Sequence, residues 1–91
     1  METVSAELEI INALGLHARA AAQLVKLANR YQCEVTVQCE GQTVNAKSIM
    51  GVLMLAAAQG MKITVSCQGV EAMKCLEEIT HLVKSRFGEP S

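Results

Sequence analysis

The 91-residue chain contains no aspartate and no tryptophan, and it has one tyrosine, one phenylalanine and one proline. Because all nine acidic residues are glutamates, the sequence excludes an EF-hand loop, an aspartate-based metal pair and a Ser-His-Asp triad. One tyrosine and one phenylalanine are too few for the stacking platforms that bind single-stranded nucleic acids. The chemistry of this chain must therefore rest on other side chains.

The chain also lacks an excess of basic charge and a long apolar run. Eight lysines and arginines against nine glutamates give a net charge of −1, which argues against a nucleic-acid partner. Residues 1–12 contain no basic residue, and the longest apolar run, Val52 to Ala58, is too short to span a bilayer. We expect a cytoplasmic monomer without a secretory signal or a membrane-inserted segment.

The four cysteines, Cys33, Cys39, Cys67 and Cys75, form no C-x-x-C pair. Without a secretory signal, reduced thiols are favoured over disulfides, and the strand cysteines are expected to pack in the core. A metal site built from these cysteines and His81 is an alternative, but the spacing matches no zinc pattern and the elements should scatter the thiols. The sequence predicts no metal and no cofactor.

Hydrophobic periodicity predicts four strands and three helices. Alternation indicates strands at 4–11, 33–39, 42–46 and 61–67, and three- and four-residue steps indicate helices at 18–31, about 48–58 and 70–86. The order β-α-β-β-α-β-α, with one apolar face on each strand, predicts an α+β fold. We expect a two-layer open-faced sandwich, its four-stranded, mostly antiparallel sheet covered on one face by three helices.

The same pattern predicts which residues are buried and where the domain ends. In the second helix, Val52, Leu55 and Ala56 should face the core; in the third, the predicted buried residues are Ala72, Met73, Leu76, Ile79 and Val83. The chain is expected to be a single domain, residues 1–91, with a core from about 4 to 86 and a frayed tail at 87–91.

His17 occupies a chemically favourable position at the start of the first predicted helix. Unpaired N–H groups of Ala18 and Arg19 should face an anion there, and the positive end of the helix dipole favours a neutral, nucleophilic imidazole. The guanidinium of Arg19 offers donors that match phosphate oxygens. These features suit a phosphoryl acceptor, whereas His81, off the apolar face of the last helix, is expected to be solvated.

Two segments resemble a known family. Gly15-Leu16-His17-Ala18-Arg19-Ala20-Ala21 is similar to the active-site segment of HPr, the histidine phosphocarrier family of the bacterial phosphoenolpyruvate-dependent phosphotransferase system. Lys47-Ser48-Ile49-Met50-Gly51-Val52-Leu53 resembles the regulatory serine segment of that family. The resemblance covers about residues 4 to 86, with Ala20 where the family usually has proline. This change should cost about 0.4–1 kcal/mol of stability through unfolded-state entropy.

The resemblance implies a covalent relay rather than an enzyme. His17 would accept phosphate on Nδ1 from Enzyme I and pass it to an EIIA-type acceptor in sugar uptake, while Arg19 neutralises the phosphoryl group. Ser48 would be modified by an HPr kinase/phosphorylase. The implied docking surface comprises Ala22, Lys26, Ile49, Met50, Leu53 and Met54.

Three questions stay open from the sequence. The loop before His17 resembles the nitrogen-regulatory branch of the family as much as the sugar branch. A regulatory module in which Ser48 does the work, with little contribution from His17, is an alternative function. Ser48 could also be a plain helix N-cap, and both roles are compatible because a phosphate is electrostatically stable at a helix N-terminus.

Overall fold

The computed structural model describes residues 2–91 and contains the expected elements in the expected order. The strands are β1 (Thr3–Glu9), β2 (Glu34–Cys39), β3 (Gln42–Asn45) and β4 (Lys62–Gln68). The helices are α1 (Ala18–Ala28), α2 (Ile49–Met54) and α3 (Ala72–Lys84), followed by a short 3₁₀ turn at Arg86–Gly88. No helix within residues 2–91 has the length and apolar character needed to cross a membrane.

The four strands form one antiparallel sheet in the order β1-β4-β2-β3. Strand β4 lies between β1 and β2, and its Val65 is opposite Ala6 of β1 and Val37 of β2. The inward residues of β2 and β4 are buried, and the alternate residues are exposed or half-buried. The predicted α+β open-faced sandwich is thereby confirmed.

Helix α2 is shorter than predicted. It ends at Met54 rather than near Ala58, because Ala56 adopts a left-handed backbone with φ of 50°. Val52 and Leu55 are buried as expected, but Ala56 is exposed, so its predicted burial was wrong. The segment freed from the helix includes Ala57, which is buried under the loop before α1.

Helix α3 buries a cysteine that the sequence pattern did not assign to its core face. Cys75 is fully buried, whereas Met73, predicted as buried, is 54% exposed. The correct core face is therefore Ala72, Cys75, Leu76, Ile79 and Val83. Cysteine matches a small hydrophobe in size and polarity, so it fits this position.

The C-terminal residues are docked, and the expectation of a frayed tail was wrong. Phe87 is only 3% exposed and has a left-handed backbone with φ of 53°, which turns the chain back towards the loop before α1. The N–H of Ala13 then donates to the carbonyl of Ser91 at 3.0 Å. Burial of Phe87 and this hydrogen bond hold Glu89 and Pro90 beside the start of α1.

Gly15 fixes the loop that carries the helix start. Its φ is +65°, and a Cβ there would lie 2.5 Å from the carbonyl oxygen of Ala57. The N–H of Leu16 donates to that same oxygen at 2.9 Å. Only glycine allows this approach between the two backbones, which sets the position of the residue that follows Leu16.

Replacing Gly15 with alanine is expected to destabilise the protein by about 3 kcal/mol or more, from a left-handed backbone plus a backbone clash. Gly41→Ala is the matched control, since its φ is +83° and no atom lies within 4 Å of the added Cβ. That variant should lose only about 1–2 kcal/mol. Urea unfolding measures both values, and equal losses would contradict the steric role of Gly15.

Candidate functional site

His17 lies at the N-cap of α1, in extended conformation with φ of −73° and ψ of 179°. Its carbonyl accepts the N–H of Ala21 at 2.8 Å, which begins the helical hydrogen bonding. The N–H groups of Ala18, Arg19 and Ala20 lie in the first turn, where no intrahelical acceptor exists. The side chain of His17 does not cap them either. The helix therefore begins with backbone donors that can hold an anion beside the imidazole.

The imidazole of His17 is held by the docked tail. Its Nε2–H donates to Oε2 of Glu89, whose side chain is 10% exposed, against 27% for His17. The N–H of the ring is used in this contact, so a neutral imidazole keeps its lone pair on Nδ1. The contact with Glu89 thus favours the tautomer that has its proton on Nε2 and its lone pair on Nδ1.

The buried side chain of Asn12 holds the carboxylate of Glu89 by a hydrogen bond. Its amide Nδ2 donates to Oε1 of Glu89 at 3.0 Å and to the carbonyl of Gly15 at 2.9 Å. The side chain is fully buried, so these donor contacts are shielded from water. One buried amide therefore couples the tail to the loop that ends at His17.

The hydrogen bonds from His17 and Asn12 lower the pKa of Glu89 below its ordinary value of 4.5, in that order of size. The nearby charges of His17 and Arg19 lower it further, while desolvation opposes them. Glu89 is thus ionised under neutral conditions, which makes it an acceptor for the ring N–H.

A shallow open cleft of about 640 Å³ surrounds the imidazole. It is lined by Ala13, Leu14, His17, Ala18, Arg19, Glu89, Pro90 and Ser91. The exposed Arg19 carries the positive charge of this cleft. An imidazole, open backbone donors and a guanidinium in one cleft are the kinds of group that can accept and stabilise a phosphoryl group.

The docking residues expected from the family resemblance are exposed. Ile49, Met50, Leu53 and Met54 are 40%, 68%, 36% and 66% exposed, and we call these four residues the α2 patch. Helix α1, which carries the exposed Ala22 and Lys26, packs against α2. An exposed apolar group of this kind on a small domain is typical of a protein contact surface.

Ser48 is the N-cap of α2. Its Oγ accepts the N–H of Gly51 at 3.1 Å, and its backbone is extended, as N-cap residues require. The capping role predicted from the sequence is therefore present. Ser48 lies next to the α2 patch in the chain, so any charge added to Oγ would lie beside that patch.

The remaining candidate ligands do not join this cleft. His81 is exposed on α3 and makes no side-chain hydrogen bond within the described part of the chain. The thiols of Cys33, Cys67 and Cys75 converge in the core, so the expectation of scattered cysteines was wrong for these three, while Cys39 lies apart. Burial is the main cause that raises the pKa of the Cys67 and Cys75 thiols.

Sequence reasoning missed Asn12, Leu14 and Glu89 as parts of the site. Asn12 could have been noticed as a polar residue in a mostly apolar segment, and Leu14, 69% exposed, as an apolar one in a loop. Glu89 carried no such signal, because its role depends on the left-handed turn at Phe87.

The open-faced sandwich with a tethered histidine at an uncapped helix start defines the class of small phosphocarrier proteins. Residues 4–85 match the family described as the PTS HPr component phosphorylation site. The chain belongs to this HPr family.

Relatives from several bacteria share most of the chain. The phosphocarrier protein HPr of Xylella fastidiosa strain Temecula1 is 45% identical over 83 residues, which cover 91% of this chain and 93% of that protein. The HPr of Pseudomonas aeruginosa is 44% identical over 84 residues, 91% and 93% of the two chains. The crystal structure of HPr-C-His from Thermoanaerobacter tengcongensis superimposes with a TM-score of 0.91 at 36% identity, covering 100% of both chains.

The docked tail should be released in acid. Because folding lowers the pKa of Glu89, its carboxylate stabilises the docked tail above the ordinary value of 4.5, and this stabilisation is lost as pH falls through the lowered folded-state value. The side-chain amide of Asn12, which donates to Oε1 of Glu89, reports the release in an NMR pH titration. Its chemical shift should change together with the Glu89 carboxyl.

Glu89→Gln provides the control for this titration, because a neutral amide cannot protonate in this range. The acid transition at the Asn12 amide should disappear in the variant. An unchanged Asn12 transition in Glu89→Gln would contradict the assignment of the tail contact to this carboxylate.

Proposed function

We propose that the protein accepts a phosphoryl group on Nδ1 of His17 from Enzyme I and passes it to an EIIA-type acceptor in the cytoplasm. The observation that carries this proposal is the imidazole whose Nε2–H is held by Glu89 at the open start of α1. This arrangement supports the proposal because one ring nitrogen is left for bond formation in a cleft that Arg19 and the start of α1 also line.

The transfer follows from this geometry. The lone pair of Nδ1 attacks the phosphorus of the donor's phosphohistidine, the donor N–P bond breaks, and its electron pair returns to the donor imidazole. Nδ1 has then acquired a bond while Nε2 keeps its proton, so the ring of His17 becomes positively charged. The carboxylate of Glu89 stabilises that charge as it develops, as an acidic partner does for a catalytic histidine.

Arg19 and the first N–H groups of α1 would stabilise the negative charge of the phosphoryl group. The three peripheral oxygens of the phosphoryl group carry negative charge through the reaction, and fixed donors stabilise it at little reorganisation cost. Arg19 is exposed, so its guanidinium can contact the phosphoryl group both when it arrives from one partner and when it leaves for the other. The carrier needs no substrate pocket of its own, since each partner supplies the other half of the site.

The α2 patch supplies the surface on which partners dock. A carrier must bind two different proteins briefly, and an exposed apolar area rimmed by Arg19 and Lys26 fits partners with acidic rims. We include Ala22 in this surface because it is exposed on the helix that packs against α2.

Phosphorylation of Ser48, by a kinase such as HPr kinase/phosphorylase, is the regulatory part of the proposal. A phosphate there adds about −1.5 to −2 charge at the N-terminus of α2, where the backbone stabilises it. The fold is therefore retained while the acidic rim of a partner is repelled. Regulation would act through the local charge beside the α2 patch.

Incubation with Enzyme I, Mg²⁺ and phosphoenolpyruvate tests the proposal by intact mass. The wild-type chain should gain one acid-labile phosphate, His17→Ala none, and the matched control His81→Ala one. Arg19→Ala should be phosphorylated about 10²-fold more slowly, while Arg30→Ala, in the turn that follows the C-terminal end of α1, keeps the wild-type rate. Absence of phosphate on the wild-type chain, with an active Enzyme I control, would overturn the phosphocarrier function.

Docking through the α2 patch is tested with two exposed methionines. Met50→Glu should raise the apparent KM for transfer from Enzyme I by about tenfold or more, through lost apolar contact and like-charge repulsion. Met73→Glu, on α3, should not change it, since Met50 and Met73 are 68% and 54% exposed and both substitutions leave the core intact. Ser48→Glu should act like Met50→Glu, and equal KM values for all four proteins would exclude docking here.

A further inference from the structure

Three cysteines from three different parts of the chain converge in the core. Cys33 directly precedes β2, Cys67 lies in β4, and Cys75 lies in the first two turns of α3. Their sulfur atoms all lie within 4.8 Å of one another, and each residue is 1% exposed or less. Three of the four cysteines of the chain therefore lie in one cluster.

The sheet register explains this convergence. Val35 lies opposite Cys67, which places Cys33 diagonally across from Cys67 on the same, inward face of the sheet. Helix α3 covers that face and contacts both β1 and β4, which brings Cys75 onto the two strand cysteines. The result is a cluster of three soft ligand atoms, two of them on β4 and α3 and the third directly before β2.

We propose that Cys33, Cys67 and Cys75 form a binding site for a trivalent thiophilic species, of which arsenous acid is the simplest. Soft thiol ligands select soft ions, and three sulfurs from separate elements match a three-coordinate centre. Among residues 2–91, the ligand group contains these three thiols and no fourth donor.

The charge of the complex decides which ion fits this buried site. Zinc on three thiolates would leave one negative charge in the core and an open fourth position, and copper(I) on three thiolates would leave two negative charges. Arsenous acid forms an uncharged complex. Three As–O bonds break, three As–S bonds form, and each thiol proton leaves on a hydroxyl group as water, without any change of oxidation state.

The start of α3 provides the route by which the site is loaded. Glu71, the N-cap of α3, has a left-handed backbone with φ of 59°, and its side chain caps no backbone N–H. A non-glycine residue in this conformation and an uncapped helix start both weaken the first turn. Local opening of this turn releases Cys75 and exposes the two strand thiols without unfolding of the sheet.

The site is separate from the proposed phosphotransfer centre. The loop before His17 pairs with residues at the start of β4, where Ile10 donates its N–H to Met61. Cys67 lies six residues further along, at the other end of the strand, about 20 Å away along its axis. Arsenic binding and phosphorylation of His17 should therefore be independent, and the failure of one would not imply failure of the other.

Sodium arsenite tests the proposal on the full chain, added to the native protein and to protein refolding from denaturant. Native mass spectrometry should show one arsenic per chain, with the loss of three thiol protons. The thermal midpoint should rise with arsenite concentration, since the trigonal site exists in the folded state.

Matched variants separate the site from general thiol chemistry. Cys39→Ser should bind arsenic like the wild type, while Cys75→Ser and Cys33→Ala should lose at least tenfold in affinity, with circular dichroism to confirm that they fold. His17→Ala should bind arsenic normally. Absence of an adduct after refolding, unchanged affinity in Cys75→Ser, displacement by equimolar zinc, or a disulfide in place of the adduct would each overturn the proposal.

Discussion

The close approach of Gly15 to the backbone of Ala57 is the constraint on which the site depends. The 2.9 Å hydrogen bond from Leu16 to Ala57 ties the loop before α1 to the segment after α2. Since His17 follows directly, this contact fixes where α1 begins and where the imidazole lies relative to the sheet.

The docked tail adds a second constraint, and it is electrostatic. In the proposed transfer a second anion binds near Glu89, which would be unfavourable if the phosphoryl group occupied Nε2. Because Glu89 holds Nε2–H, we expect the phosphoryl group on Nδ1, within the cleft that Arg19 also lines. The carboxylate would then stabilise the positive charge on the ring, and Arg19 the negative charge on the phosphoryl oxygens.

Local patterns in the sequence were sufficient for the elements and for the place of His17 at a helix start. Alternation in residues 33–39 and 61–67 predicted the buried faces of β2 and β4, and the alanine-rich pattern after His17 predicted that a helix begins there. The resemblance to the HPr family added Ser48, whose capping bond to Gly51 is present. These features depend on neighbours within a few residues, which is why periodicity and helix-capping rules could identify them.

The errors concern contacts between residues distant in the chain or backbone that periodicity does not describe. Glu89 reaches His17 across 72 positions through a left-handed turn at Phe87, a conformation that no propensity rule assigns to phenylalanine. Met73 was predicted as buried but is exposed, and Cys75 is buried, because the orientation of α3 is set by its packing on β1 and β4. The convergence of three thiols likewise depends on strand order, which the sequence did not supply.

The position of the phosphoryl group on the imidazole tests the central claim most directly. In protein with ¹⁵N-labelled histidine, the ring nitrogens of His17 distinguish the two tautomers, and coupling to ³¹P identifies the phosphorylated atom. The account predicts a protonated Nε2 before transfer and phosphorus on Nδ1 afterwards, with more of the other tautomer in Glu89→Ala than in the wild type. Phosphorus on Nε2, or a tautomer ratio unaffected by Glu89→Ala, would contradict it.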